Sequence, residues 1–169
     1  GWHTLPMIPF NRPYFTGREL EHLKEAMLSG HVSGDGAFSR RCEDFFEKRY
    51  GLRRALLTTS CTDALEMAAL LCGIAPGDEV ILPSFTFVST ANAFALRGAR
   101  LRFVDSLPNS PNMDTALVGP LITPRTRVLV AVHYAGIACD LDPLLALAAA
   151  HGLRVVEDAA QGVEATYKG

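Results

Sequence analysis

From Ala55 onward, short runs of apolar residues alternate with stretches of helical length, and this alternation constrains the fold more than any other feature of the chain. An apolar run without polar alternation is how a strand reads when both faces of its sheet are covered, as they are in parallel sheets. Strands are predicted over Ala55–Thr58, Glu79–Leu82, Arg100–Val104, Val128–Val132 and Arg154–Glu157. Helices are predicted over Thr62–Cys72, Thr86–Leu96, Asp114–Leu121 and Pro143–Ala150. Pro143 suits a first helical turn, where its missing amide costs nothing. Strand and helix in alternation imply an α/β fold with a mostly parallel sheet.

The chain before Ala55 reads differently. Thr16 followed by Glu19 has the capping-box spacing, and Leu20, Leu23, Ala26 and Met27 recur at helical intervals, which predicts a helix over Gly17–Ser29. His31–Gly36 reads as a loop, and Phe38, Cys42, Phe45 and Phe46 mark a second amphipathic helix ending near Gly51. Residues 1–6 are expected to be a tag or upstream extension, with Met7 as the natural start.

Composition narrows the function classes. A hydrophobic fraction of 49% with 20% charged residues belongs to a packed globular protein, and a net charge of -2 gives a nucleic-acid backbone nothing to bind. The 4 cysteines form neither a CxxC pair nor a zinc-spaced cluster. No apolar run reaches the roughly 18 residues of a membrane span, so a cytoplasmic location is expected.

In an open α/β sheet, ligands bind beyond the carboxyl ends of the strands. After the first predicted strand come Thr59, Ser60, Cys61, Thr62 and Asp63, which open a helix whose amides could hold a phosphate; a plain helix cap explains the same residues. Phe85 and Phe87 follow the second strand and offer a ring for a flat ligand to stack on, or simple packing. The fifth strand ends in Glu157-Asp158, with Gln161 beyond. A carboxylate there could neutralise a protonated ring nitrogen and the amide could donate to a phenolic oxygen. Magnesium and ribose binding are rival uses of such an acid, but neither GxGxxG nor GxxxxGK[ST] occurs in the chain.

With these edges on the page, the chain resembles the sugar aminotransferases of the DegT/DnrJ/EryC1/StrS family from about Met7 to Gly169. The runs that carry the resemblance are Ile8-Pro9-Phe10-Asn11, Ser60-Cys61-Thr62, Phe87 to Phe94, Val132-His133-Tyr134-Ala135-Gly136 and Glu157 to Val163. The resemblance implies the three-layer α/β/α architecture of fold type I aminotransferases, with residues 7–169 as an incomplete large domain. It implies pyridoxal 5'-phosphate as cofactor. Cys61 and Thr62 then bind its phosphate, Phe87 stacks on its ring, Asp158 pairs with the protonated ring nitrogen, and Gln161 sits beside the phenolic oxygen. The implied reaction is transamination of a nucleotide-linked 4-keto-6-deoxy sugar by an amino-acid donor such as L-glutamate, in a homodimer; no metal is called for.

The resemblance also implies what to expect elsewhere. The Schiff-base lysine of the family lies in a Ser-Phe-x-x-x-Lys-Asn segment beyond Gly169, and Lys168 is not that residue. Two further strands of the family's large domain lie between the first and fifth, so Ala55–Thr58 is expected to lack its neighbours, and the chain alone is expected to be unstable and inactive. A dehydratase of the same family, in which histidine replaces the lysine, an inactive truncated product and a cofactor-sensing regulator domain are the alternatives. His133 reads equally as a structural or a catalytic residue, and the Gly30–Gly36 loop is a secondary candidate.

Overall fold

The computed structural model describes residues 7–9 and 11–169. The expected extension over residues 1–6, and Phe10 within the Ile8–Asn11 run, lie outside them. The chain divides into two compact units, Gly1–Leu57 and Thr58–Gly169.

The first unit holds α1 (Glu19–Leu28) and α2 (Ala37–Tyr50). The Glu19 carboxylate turns back onto the amides of Thr16 (2.6 Å) and Gly17 (2.9 Å), one half of the anticipated capping box. Those bonds, led by the Thr16 amide, hold the Glu19 carboxyl down to about 2. Gly51, in the left-handed region at φ 63, ends α2 and donates to the Glu47 carbonyl. Among the described residues, neither helix buries a side chain.

Ala55–Thr58 is not a strand. A strand exists through its ladder partners, and no strand pairs with this run. Two of its amides bond to carboxylates of α2 instead, Ala55 to Glu47 (3.0 Å) and Leu57 to Glu43 (3.1 Å), and Leu56 and Leu57 stay exposed.

The second unit runs α3 (Cys61–Leu71), β1 (Glu79–Pro83), α4 (Val88–Ala95), β2 (Arg100–Val104), β3 (Thr126–Val132), α5 (Leu141–His151) and β4 (Arg154–Asp158). The helix expected over Asp114–Leu121 is two short 3-10 turns, Thr115–Leu117 and Gly119–Leu121. Gly119-Pro120 interrupts it: glycine weakens a helix, and proline cannot donate the backbone bond that would join the turns.

The four strands form one parallel sheet in the order β2-β1-β3-β4. Every residue of β1 is buried, and successive side chains go to opposite layers. Val80, Leu82, Val128 and Val130 pack with Leu65 and Ala69 of α3 and Phe94 of α4. Ile81, Leu129 and Ala131 pack with Met113, Val118 and Leu144 and Ala148 of α5. A continuous apolar strand is therefore what a three-layer fold demands, since each face needs its own core. Full burial of one such Val, Leu or Phe contributes roughly 1.5–3 kcal/mol. At the amino end of β1, Glu79 is buried against Thr123 (2.7 Å) and Arg125 (3.1 Å). The Thr123 hydroxyl first, then Arg125, keeps its carboxyl below the usual range. No helix among the described residues is long and apolar enough to cross a membrane.

Candidate active site

The strand order fixes where a ligand can enter. From β1 the chain crosses over to β2 on one side, whereas β3 leads to β4 on the other, so the connections diverge between β1 and β3 and leave a crevice at their carboxyl ends. The register carries β3 and β4 to the same edge, with Val132 opposite Asp158. A pocket of about 270 Å³ opens there, lined by Thr86 and Phe87 after β1, Val132, His133 and Tyr134 at the end of β3, and Asp158, Ala160 and Gln161 at the end of β4.

Asp158 lies at the pocket's base and is only 6% exposed. One carboxylate oxygen accepts from the Thr90 hydroxyl (2.6 Å); the other accepts from the Ala160 amide (3.2 Å) and, more weakly, from the Cys61 thiol (3.8 Å). All of these donors are neutral, and among the described residues no Lys, Arg or His forms an ion pair with it. A buried carboxylate facing a pocket without a counter-cation is what a cationic ligand would complete.

The side chains around it leave further groups open to the pocket. Phe87 is 71% exposed, so its ring face is open rather than consumed by packing. The Gln161 Oε1 accepts the Ala135 amide (2.9 Å), which commits the carbonyl end of that side chain and leaves its NH₂ as the donor. Ala135 itself is in the left-handed region at φ 53, and the turn that holds it is braced by Asn112. This buried amide accepts from the Tyr134 amide (3.1 Å) and donates to the Ile137 carbonyl (2.9 Å).

Cys61 and Thr62 stand apart from this pocket, at the start of α3. Ser60 is the cap: its hydroxyl accepts from the Asp63 amide (3.2 Å). The hydroxyls of Thr59 and Ser60 both donate to the Asp63 carboxylate and hold its pKa down. An anion at this helix end would then meet the amides of Cys61 and Thr62, which have no acceptor within the helix. The Thr62 hydroxyl donates to Ser89 (2.9 Å) and lines a separate hollow between α3 and α4. Burial, then the Asp158 charge, pushes the Cys61 thiol up, so it stays a neutral donor.

His133 has its Nδ1 occupied by the Cys139 amide (3.1 Å), which assigns the ring proton to Nε2, directed at Glu157 (2.8 Å). Lys168 is ion-paired with Asp142 and does not line the pocket. Of the residues singled out from the sequence, Phe87, Asp158 and Gln161 share one pocket, Cys61 touches Asp158, and Thr62 does neither. Thr86, Thr90 and Asn112 were missed. Thr90 is three positions beyond Phe87, one helical turn, and that spacing was the available signal.

The pocket's donor set, a buried anion with an open aromatic face and a free amide NH₂, therefore fits the protonated pyridine ring and phenolic oxygen of pyridoxal phosphate. Residues 13–169 match the DegT/DnrJ/EryC1/StrS aminotransferase family. The chain belongs to this family. It is 41% identical over 165 residues to the GDP-perosamine synthase of Caulobacter vibrioides, covering 98% of this chain and 44% of that protein. It is 40% identical over 161 residues to the spore coat polysaccharide biosynthesis protein SpsC of Bacillus subtilis, covering 95% of this chain and 41% of that one. The chain thus spans about two-fifths of the length of these curated relatives, given shares of 44% and 41%. Among solved structures, NtdA of Bacillus subtilis with bound cofactor PMP superposes with a TM-score of 0.83 at 32% identity, covering 87% of this chain and 34% of that one. The α/β architecture with a parallel sheet is that of the fold type I aminotransferases of this family.

Proposed function

We propose that residues 7–169 form the amino-terminal part of the cofactor domain of a pyridoxal-phosphate-dependent sugar aminotransferase. The single observation that carries this reading is Asp158: a buried carboxylate at a topological switch point, supplied only with neutral donors and facing an open pocket. Membership of an aminotransferase family supports it.

In this reading Asp158 holds the pyridine nitrogen in its protonated form, Phe87 covers one face of the ring, and the Gln161 NH₂ bonds the phenolic oxygen. The amides of Cys61 and Thr62 receive the phosphate. Bound in this way, the cofactor supplies an electron sink for proton removal at the carbon that bears the amine. The chain's own contribution is orientation and charge: Asp158 keeps the ring cationic, and the neutral Cys61 thiol adds a donor without competing for that role. Lys168 is paired with Asp142 and does not line the pocket, so it is not assigned the role of the lysine that bonds the cofactor.

The substrate proposed is a nucleotide-linked 4-keto-6-deoxy sugar, dTDP-4-keto-6-deoxy-D-glucose, with L-glutamate as donor. The product would be dTDP-4-amino-4,6-dideoxygalactose, used in cell-surface polysaccharide synthesis by a cytoplasmic homodimer. Similarity to a polysaccharide biosynthesis protein supports the pathway class, and similarity to a GDP-perosamine synthase makes a GDP-linked sugar the natural competitor. The test is an amination assay of the intact protein with glutamate and either the dTDP- or the GDP-linked keto sugar. Amination of the dTDP sugar is expected; turnover of the GDP sugar alone would move the nucleotide assignment, and turnover of neither would overturn the reading.

A further inference from the structure

Thr90 is completely buried in α4, with its hydroxyl 2.6 Å from one oxygen of Asp158. A second hydroxyl, that of Thr86, lies 2.8 Å from the Thr90 oxygen, and Thr86 lines the pocket. A hydroxyl has one proton to give. An ionised carboxylate only accepts, so Thr90 must spend its proton on Asp158 and cannot also donate to Thr86. The Thr86 proton must then point at Thr90. The two hydroxyls therefore run in one direction, Thr86 to Thr90 to Asp158, and each bond strengthens the next.

We propose that Thr90, backed by Thr86, is a positioning residue that fixes the orientation of the Asp158 carboxylate toward the pocket. The inference rests on the reading of Asp158 as the partner of a cationic ring. The Ala160 amide holds the other oxygen, at 3.2 Å. From α3 the Cys61 thiol is a weak donor at 3.8 Å. After β3 the His133 ring is turned to Glu157, the neighbouring acid of β4. Tyr134 lines the pocket and meets Phe85 with its ring at 4.9 Å. Among the described residues, Thr90 is the one side chain bonded to this Asp158 oxygen, at 2.6 Å, and it is completely buried.

The test compares Thr90→Val, which keeps the shape and removes the hydroxyl, with Thr90→Ser, which restores it, and Thr86→Ala, which removes only the backing bond. Crystal structures of the proteins without cofactor read the Asp158 side-chain orientation independently of catalysis. The carboxylate should turn away from its native orientation in Thr90→Val and keep it in Thr90→Ser. Pyridoxal phosphate binding, followed by its absorbance, should weaken about tenfold in Thr90→Val, less in Thr86→Ala, and return with serine. A native carboxylate orientation in Thr90→Val, or no rescue of binding by serine, overturns the inference. Failure of the native protein to bind pyridoxal phosphate would overturn the proposed function, while the carboxylate orientation would still decide the role of Thr90.

Discussion

The helices before Leu57 and the sheet after Thr58 obey different physics. In α1 and α2 no side chain is buried among the described residues, yet both helices form; in β1 every residue is buried. A helix satisfies most of its own backbone bonds, so a local pattern is enough to mark it in the sequence. A strand borrows its bonds from neighbours. The Ala55–Thr58 run shows the difference: apolar enough to be a strand, it has no ladder and hands amides to Glu43 and Glu47 instead.

Substitutions in the two regions should separate them sharply. The largest effect is expected for Phe94→Ala, which empties a completely buried site between α4 and the sheet. It should destabilise the second unit by about 3–5 kcal/mol in chemical denaturation. Asn112→Ala comes next, because it strands the Tyr134 amide and Ile137 carbonyl that it now satisfies. A loss of about 1–3 kcal/mol is expected, and a cost near zero would show that the turn after β3 holds itself.

Glu79 ties stability to pH. Its folded pKa lies below the ordinary 4.5, so its contribution is present above that value and fades as pH falls through the folded pKa. Stability measured from pH 6 downward should fall less steeply in Glu79→Gln than in the native protein. The smallest effect belongs to the first region. Leu20 on α1 is 79% exposed, and Leu20→Ala should change stability by no more than about 0.5 kcal/mol. A large loss there would mean that α1 is packed after all.

Legibility in the sequence followed the same division. Val128–Val132 was readable because burial on both faces leaves an uninterrupted apolar run, whereas Arg100–Val104 and Arg154–Glu157 are edge strands with most residues exposed or half-buried and were readable from their length and their spacing between helices. Asp114–Leu121 misled because its apolar content suggested one helix while Gly119-Pro120 breaks it. The pocket lining was legible at Asp158 and Gln161, which close an apolar strand, and at Phe87, which opens a helix, and the structure brings the three together. It was illegible where function lies in a contact between distant positions. Thr90 meets Asp158 across 68 positions and Asn112 meets Tyr134 across 22; the spacing from Phe87 marks Thr90 itself, but nothing local marks its partner.

The central claim is that Asp158 holds a cationic cofactor ring. The half-reaction of the intact, cofactor-loaded protein with L-glutamate, followed by stopped-flow absorbance in the native protein and in Asp158→Asn, tests it most directly. The account predicts that the variant still binds pyridoxal phosphate but reacts on the order of a hundredfold more slowly. A variant that reacts at the native rate would contradict it.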